Sequence, residues 1–260
     1  MAKHLEISKI IFYCWFSNKP KPAYLYKNIE SWKKFLPNFE IFEINESNFD
    51  VNCNEFCKNA YENGHFAFVS DYARFKMLFK SGGLYFDTDV KIIKPIDDIL
   101  KKGPFMACES DQISSNRSGL AYDININVAP GLGCAFEKHN PIIKEIIHQY
   151  DIMKNCNKNK TVADITTKVL QNFGLKNKNG IQNVQNITIY PKEYFNPKSL
   201  YDGKITITEN TRSIHYYTMT WLKPWKRFLS KIVIILRRIF GKKLISKIGS
   251  LKIFENFWNK

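Results

Sequence analysis

Two aspartates, Asp87 and Asp89, stand two positions apart in the stretch GGLYFDTDVKII, after a glycine pair and an aromatic, β-prone run. In an extended segment, side chains at i and i+2 point to the same side, so both carboxylates can reach one point. Carboxylates suit Mg²⁺ or Mn²⁺, which such sites hold with one or two carboxylates plus substrate phosphates. The pair predicts a metal that bridges the protein and a phosphorylated substrate, although a solvated turn would show the same letters.

A second charged pair lies on the helix predicted over residues 68–80, just before this strand. Asp71 and Arg74 are three residues apart, so they share a helix face. Ser70 is the predicted N-cap, and the Ser-Gly-Gly sequence at residues 81–83 predicts the end of the helix and a turn back toward the acids. A surface ion pair is one interpretation of Asp71 and Arg74; the other is hydrogen bonding to substrate hydroxyls, with Arg74 also available to an anion.

Two further segments carry side chains that suit a nucleotide or a metal. Trp15 ends the first predicted strand, KIIFYCWF, where its indole could stack on a flat heterocycle. The run SIHYYTMTWLKPW, after the last predicted strand, contains His215, Trp221 and Lys223. A neutral imidazole can complete a coordination sphere begun by two carboxylates, and a lysine can meet a phosphate as a point charge. Taken singly, a core tryptophan and a structural histidine are commoner, so these interpretations depend on the neighbouring residues.

The order of predicted elements indicates an α/β fold that could position these residues. KIIFYCWF, a helix over residues 24–35 and the strand FEIFEI form a strand-helix-strand series, which predicts a parallel unit. The acids then lie at the carboxyl end of a strand, where α/β sheets place ligands. The other predicted elements are helices over residues 140–150 and 161–174 and late strands in NITIYPKEYF and KITITE.

Composition limits the class of protein. With 260 residues, 44% of them hydrophobic, the chain can bury a full core in one large domain. It has six scattered cysteines, no recognisable secretory signal and no apolar run of the roughly 20 residues that span a bilayer. We therefore expect a cytoplasmic protein with reduced thiols.

The positive charge is concentrated at the C-terminal end. Residues 221–260 hold 11 of the 39 basic residues and 1 of the 24 acidic ones, a net charge of +10 out of +15. Within residues 225–250, apolar and basic side chains fall on opposite faces of a predicted helix, which suits an anionic membrane surface. A helix packed on the catalytic domain with a solvated basic face is the alternative. The apolar face comprises Trp225, Phe228, Leu229, Ile232, Leu236, Ile239 and Phe240.

The chain resembles the Asp-x-Asp sugar transferases of glycosyltransferase family 32 and, more distantly, the clostridial glucosylating toxins and the family-8 galactosyltransferases. The matching stretches, in family order, are KIIFYCWF, SDYARFKMLFKSGGLYFDTDV, IYPKEYFNP and SIHYYTMTWL, and the second is the most specific. The resemblance implies one Rossmann-like nucleotide-sugar domain of the GT-A type over residues 1–222, followed by the basic tail at residues 223–260.

The resemblance also implies roles for the residues already singled out. The tryptophan matched by Trp15 stacks on uracil, and the pair matched by Asp71 and Arg74 holds donor-sugar hydroxyls. Asp87 would touch the sugar or ribose and the metal shell, while Asp89 would bind Mn²⁺ or Mg²⁺ directly. The remaining expected contacts are His215 to the metal, Lys223 to the diphosphate, and Gly83, Tyr85 and Trp221 to the donor.

These observations predict transfer of a sugar from a UDP-linked donor to an acceptor hydroxyl, and the resemblance implies retention of anomeric configuration. The predicted acceptor is a glycan or a lipid-linked oligosaccharide in surface polysaccharide synthesis. The predicted catalytic residues are Asp71, Arg74, Asp87 and Asp89. The sequence leaves open whether transfer is a same-face attack or passes through a covalent intermediate. Glu109 and Asp111 are acids that could take part in it, and the preferred interpretation of both is a polar loop.

Two other classes of function compete with this prediction. A haloacid-dehalogenase-type phosphotransferase also has Asp-x-Asp after a strand, but that pattern needs Thr or Val where Lys91 stands. A basic nucleic-acid-binding module would fit the net charge, but no nucleic-acid motif accompanies it. The run Gly131-Leu132-Gly133 lacks the remaining glycine and the strand of a dinucleotide fingerprint.

Overall fold

The computed structural model describes residues 6–17, 19–115, 122–154, 160–220, 222 and 224–249. The chain forms two compact units, Met1–Pro197 with Ile207–Tyr217, and Lys198–Thr206 with Thr218–Lys260. The first unit contains the β-sheet, and the second contains the C-terminal helix. The functional boundary between residues 222 and 223 stays a prediction.

Strands and helices are interspersed along the described residues. The strands are β1 Ile10–Cys14, β2 Glu40–Ile44, β3 Gly83–Tyr85, β4 Val90–Ile92, β5 Phe105–Ser115, β6 Tyr122–Val128, β7 Cys134–Phe136, β8 Gln182–Val184, β9 Ile187–Tyr190 and β10 Ser213–His215. The helices are α1 Ala23–Phe35, α2 Glu55–Glu62, α3 Phe66–Ser81, α4 Asp97–Leu100, α5 Pro141–Asp151, α6 Val162–Asn172, α7 Lys192–Phe195 and α8 Pro224–Gly249.

The central sheet has the strand order β2-β1-β3-β7-β5-β9-β8, with β6 paired to β5. β1 runs parallel to β2 and β3, and β5 runs parallel to β9, while β7, β6 and β8 are antiparallel to their neighbours. Apolar side chains cover both faces, because a strand such as IIFYC is apolar at every position and is buried on both sides. The predicted α/β fold class and the parallel β1-α1-β2 unit are confirmed.

Helix α3 and strand β3 are joined by the glycine pair. The amide of Gly82 donates to Leu78 O at 2.8 Å, and its φ of +65° ends the helix, as predicted. A side chain at Gly82 would lie 2.9 Å from Lys138 N, so this turn requires glycine. The predicted N-cap was wrong: α3 begins at Phe66, and the Ser70 hydroxyl lies inside the helix, where it donates to Phe66 O at 2.9 Å.

A separate two-stranded sheet joins β4 to β10. The strands are antiparallel, with Ser213 opposite Ile92 and His215 opposite Val90. The segment that was expected to follow the last strand is therefore itself a strand.

Two late strand predictions were wrong in whole or in part. KITITE forms a single bridge, Lys198 to Ile205, rather than a strand, because its isoleucines, Ile205 and Ile207, are exposed instead of packed. The second half of NITIYPKEYF is helix α7, since Pro191 follows β9 and cannot donate to a ladder.

Candidate active site

The paired aspartates lie in the turn between β3 and β4. The amide of Val90 donates to Asp87 O at 3.0 Å, which closes the turn over Asp87-Thr88-Asp89. The stretch is therefore a turn rather than the extended segment assumed from the i and i+2 spacing. The two carboxylates nevertheless converge, and with His215 they place three ligand atoms within 4.8 Å of one another.

His215 reaches the acids through the β4–β10 pair. Its Nε2 atom lies 2.9 Å from Asp89 Oδ1 and 3.7 Å from Asp87 Oδ2. Burial disfavours the charged imidazole, but the carboxylates of Asp89 and Asp87 outweigh burial and raise the pKa of His215 to about 10. Without a cation, the imidazole is protonated at neutral pH and bonded to Asp89.

The three side chains fit a divalent cation. Two carboxylates and one imidazole form a donor set of the kind that Mn²⁺ accepts, and Mg²⁺ is compatible with the oxygen ligands. His215 directs Nε2 toward both acids, while its buried Nδ1 has no hydrogen-bond partner among the described residues. The predicted group of Asp87, Asp89 and His215 is thus a possible metal site.

Asp87 is held by the neighbouring helix and strand. Its Oδ1 accepts a hydrogen bond from the Tyr85 hydroxyl at 2.9 Å and lies 3.3 Å from Arg74 Nη2. Burial alone would raise the pKa of Asp87, but Arg74 and His215 hold it well below its usual range. The carboxylate is therefore ionised, with Oδ1 fixed by the protein and Oδ2 on the side of His215.

Asp71 and Arg74 form a buried ion pair, so the surface interpretation was wrong. Arg74 Nη2 donates to Asp71 Oδ1 at 2.8 Å, and the two residues are only 4% and 8% exposed. Burial raises the pKa of Asp71 to about 7, against the effect of Arg74. Arg74 Nη1 is buried and makes no hydrogen bond within the part of the chain described, so its N–H groups remain for a ligand.

Two of the predicted donor contacts lie inside the protein. Tyr85 is 1% exposed, and its ring lies 4.5 Å from the Arg74 guanidinium, so it supports Arg74 and Asp87. Gly83 begins β3, where a Cβ would lie 2.7 Å from Ile10 O of the adjacent strand. Tyr85 thus holds Asp87 and Arg74 in place, and Gly83 leaves room for the adjacent strand, while their contacts with a donor stay predictions.

Trp15 lies at the same edge of the sheet as the acids. It follows β1, which is parallel to β3, and its amide donates to Ile44 O at the end of β2 at 2.9 Å. Its indole borders a cavity of about 480 Å³ that is also lined by Lys21 and Glu43, which form an ion pair of 2.6 Å. A cavity of this size at the carboxyl ends of parallel strands suits a small ligand.

Trp221 and Lys223 lie outside the described residues. Their predicted contacts with the donor and its diphosphate stay predictions.

A polar group formed by Glu109 and Tyr217 borders His215, which sequence reasoning did not predict. Glu109, interpreted as a loop residue, lies in β5 where the pairing with β6 is irregular, and such bulges re-aim side chains near active sites. Asn196 Nδ2 donates to Glu109 O at 2.9 Å, and the Glu109 carboxyl lies beside Tyr217. The Tyr217 ring contacts the His215 ring edge to face, with centroids 4.1 Å apart. The irregular pairing of β5 has no local sequence signal. Tyr217, two residues after His215, could have been predicted to lie beside it, since the two residues share one segment.

Asp111, the other residue interpreted as part of a loop, also lies in β5. Its Oδ2 accepts from the Lys192 amide at 3.0 Å, at the start of α7. Both acids are therefore anchored in regular structure.

The mixed α/β sheet thus carries paired acids, an imidazole and a cavity bordered by Trp15 near the carboxyl ends of its parallel strands. Residues 22–106 match the family model described as the glycosyltransferase sugar-binding region containing the DXD motif. This part of the chain is thus similar to the sugar-binding region of DXD glycosyltransferases, and the predicted resemblance is confirmed. The matched range includes Asp71, Arg74, Asp87 and Asp89 but not Trp15 or His215.

Three solved glycosyltransferase structures are similar to this chain at low sequence identity. PaToxG glycosyltransferase is 17% identical, with 64% of this chain and 69% of that chain covered and a TM-score of 0.46. A glycosyltransferase involved in glycosylation of the major capsid of PBCV-1 is 11% identical, with coverages of 86% and 98% and a TM-score of 0.44. Galactosyltransferase LgtC, solved with donor and acceptor sugar analogs, is 14% identical, with coverages of 86% and 95% and a TM-score of 0.40. A comparison with curated proteins gave no match.

Proposed function

We propose that this protein transfers a sugar from a UDP-linked donor to an acceptor hydroxyl, with Mn²⁺ or Mg²⁺ held by Asp87, Asp89 and His215. The observation that carries the proposal is the convergence of these three side chains within 4.8 Å. Two of them lie in the range matched by the sugar-binding family.

The chain's own residues would prepare the donor for transfer. Arg74 and Tyr85 keep Asp87 ionised and fix one of its oxygens, so the carboxylate needs no reorientation. The buried Arg74 Nη1 would donate to an oxygen of the donor sugar, and Trp15 would stack on the uracil beside the cavity. A bound divalent cation would supply positive charge to stabilise the leaving diphosphate. Catalysis would then depend on positioning and electrostatics.

Retention of anomeric configuration and the acceptor class extend the proposal on the basis of the family resemblance. The acceptor would be a glycan or a lipid-linked oligosaccharide in surface polysaccharide synthesis. Glu109 and Tyr217 border His215 and would offer polar groups to an acceptor hydroxyl.

UDP release from a panel of UDP-sugars, with Mn²⁺ present or chelated, tests this proposal. We expect metal-dependent turnover with at least one UDP-sugar, and its loss in the Asp89→Asn variant at saturating metal. Turnover that persists in Asp89→Asn would contradict the metal role. Failure of every UDP-sugar would contradict the donor class.

We also propose that helix α8 holds the enzyme on the anionic, cytoplasmic face of a membrane, close to a lipid-linked acceptor. Trp225, Phe228, Ile235 and Ile239 are 52–66% exposed and recur at helical spacing, so they form one apolar stripe. The helix sequence contains basic residues such as Lys231 and Arg238 and no acidic residue. An exposed apolar stripe with basic flanks favours a negatively charged lipid surface.

Membrane contact of this kind would be interfacial. Within the described residues, no helix is both long enough and apolar enough to cross a bilayer.

A further inference from the structure

The 3-10 turn Pro130–Leu132 lies directly against the first aspartate of the pair. The Asp87 amide donates to Gly131 O at 3.0 Å, and Gly131 is buried. The sequence singles out this glycine only as part of an incomplete dinucleotide fingerprint. In the structure, it instead borders the possible metal site.

Gly131 is required for space. A Cβ built on it would lie 2.7 Å from Asp87 Cγ, closer still to Asp87 Oδ2, and 3.2 Å from Arg74 Nη1. Real Cβ atoms essentially never approach a neighbour within 3.0 Å. The φ angle of Gly131 is not in the left-handed region, so its backbone conformation does not itself call for glycine.

The oxygen that occupies this space is the one that faces the histidine. Asp87 Oδ1 is already bound by the Tyr85 hydroxyl and approached by Arg74. Asp87 Oδ2 lies over Gly131, 3.7 Å from His215 Nε2. A side chain at position 131 would push Oδ2 away from the point that Asp89 and His215 share.

We propose that Gly131 is a positioning residue of the metal site, whose missing side chain lets Asp87 Oδ2 face the cation. This role rests on the proposed metal-dependent function. It adds a requirement from a turn that lies outside the family-matched range.

The first test is calorimetric titration of the full-length protein with Mn²⁺ alone. Outer-shell changes at metal sites typically cost about 10–100-fold in affinity, and we expect Gly131→Ala to raise the Mn²⁺ dissociation constant by this amount. Gly133→Ala is the matched control, because its Cβ would meet the Phe86 ring at 2.7 Å instead of an acid. We expect the control to lower Tm and to leave the Mn²⁺ dissociation constant unchanged.

A mutant cycle with Asp87→Ala tests the contact without any metal. If Gly131→Ala acts through the Asp87 carboxyl, the fall in Tm that it causes should largely disappear in the Asp87→Ala background, since the closest clashing atoms are gone. An equal fall in Tm in both backgrounds would overturn the proposed contact.

The two tests separate this role from the proposed function. Unchanged Mn²⁺ affinity in Gly131→Ala, with the wild type binding, would overturn the positioning role alone. Absence of Mn²⁺ binding in the wild type would overturn the metal site itself and this role with it.

Discussion

The Nε2 atom of His215 lies 2.9 Å from Oδ1 of Asp89, and a short antiparallel strand pair makes this contact. His215 stands opposite Val90, the residue that follows Asp89, and the Tyr216 amide donates to Asp89 O at 3.0 Å. The backbone ladder thus fixes the imidazole against the second acid. The candidate metal site depends on tertiary pairing as much as on the DXD stretch.

We expect His215→Ala to weaken Mn²⁺ binding by more than the roughly 10–100-fold that loss of an outer-shell partner costs, because it removes a ligand atom. Calorimetric titration with Mn²⁺ measures this change. His148→Ala is the matched control, since His148 is an exposed histidine on α5. Equal affinity in His215→Ala and wild type would exclude the histidine as a ligand.

Metal binding should release a proton and strengthen as pH rises. In the metal-free protein, burial opposes protonation of His215, but Asp89 and Asp87 raise its pKa to about 10. A cation must displace this proton, so the apparent Mn²⁺ affinity should increase between about pH 6 and 8. Titration in two buffers of different ionisation enthalpy measures the released proton. A pH-independent affinity with no proton release would contradict a protonated His215.

The raised pKa of His215 also predicts how the stability of the metal-free protein changes with pH. Because the folded pKa is raised above the unfolded value of about 6.5, the stabilisation is fully present below pH 6.5 and is lost as pH approaches 10. Chelator-treated wild type should therefore lose Tm over this interval, measured by circular dichroism. His215→Gln should lose less. Parallel curves of Tm against pH for the two proteins would show that His215 does not contribute to this pH dependence.

Trp15 should contribute to nucleotide binding. Loss of a base–aromatic stack costs about 1–3 kcal/mol, so Trp15→Ala should weaken UDP binding roughly five- to hundredfold. Trp15→Phe keeps an aromatic ring and should lose less affinity for UDP. Equilibrium titration with UDP measures the difference. Trp225→Ala is the matched control, because Trp225 is 52% exposed on α8. Similar losses in both alanine variants would argue against a base site at Trp15.

The apolar stripe of α8 should mediate binding to anionic vesicles. We expect the double variant Phe228→Ser with Ile235→Ser to float less with phosphatidylserine-containing liposomes, because it removes exposed apolar area. Ile181→Ser, an exposed isoleucine of the first unit, is the control. Lys231→Glu with Arg238→Glu should also reduce flotation, since each basic residue near such a surface contributes about 1 kcal/mol.

Two results would contradict the membrane proposal. One is equal flotation of the wild type and the double-serine variant. The other is concentration-dependent self-association, measured by sedimentation, that disappears in this variant; the stripe would then be a contact between copies of the chain.

The sequence predicted those parts of the fold that depend on the backbone preferences of a few neighbouring residues. Prolines after β1 and a glycine pair after α3 act through their own backbone preferences, so the β1-α1-β2 unit and the turn at Gly82 could be predicted. Ser70 misled the prediction because a serine hydroxyl can bond the carbonyl four residues earlier inside a helix as well as cap one. Its residue type cannot distinguish these two uses.

The residues that complete the site depend on contacts distant in sequence. His215 was identified by its chemistry, but its pairing with β4 requires a strand that has only three residues and little pattern of its own. Glu109 is aimed by an irregularity of strand pairing, and Gly131 is required by a carboxylate that arrives from β3. None of these relationships has a signature within a single stretch of sequence.

The late position of β10 in the first unit has a consequence for biosynthesis. While the ribosome is still making the chain, the nascent polypeptide can form β1, β2 and β3 and present both acids, but it has no imidazole until residue 215 emerges. The chain between β4 and β10 must close a long loop, and each doubling of loop length adds only about 0.6 kcal/mol to the entropic cost of closure. An unfinished chain would therefore carry the acids without the histidine, and the β4–β10 pair would make metal capture one of the last events in the maturation of this unit.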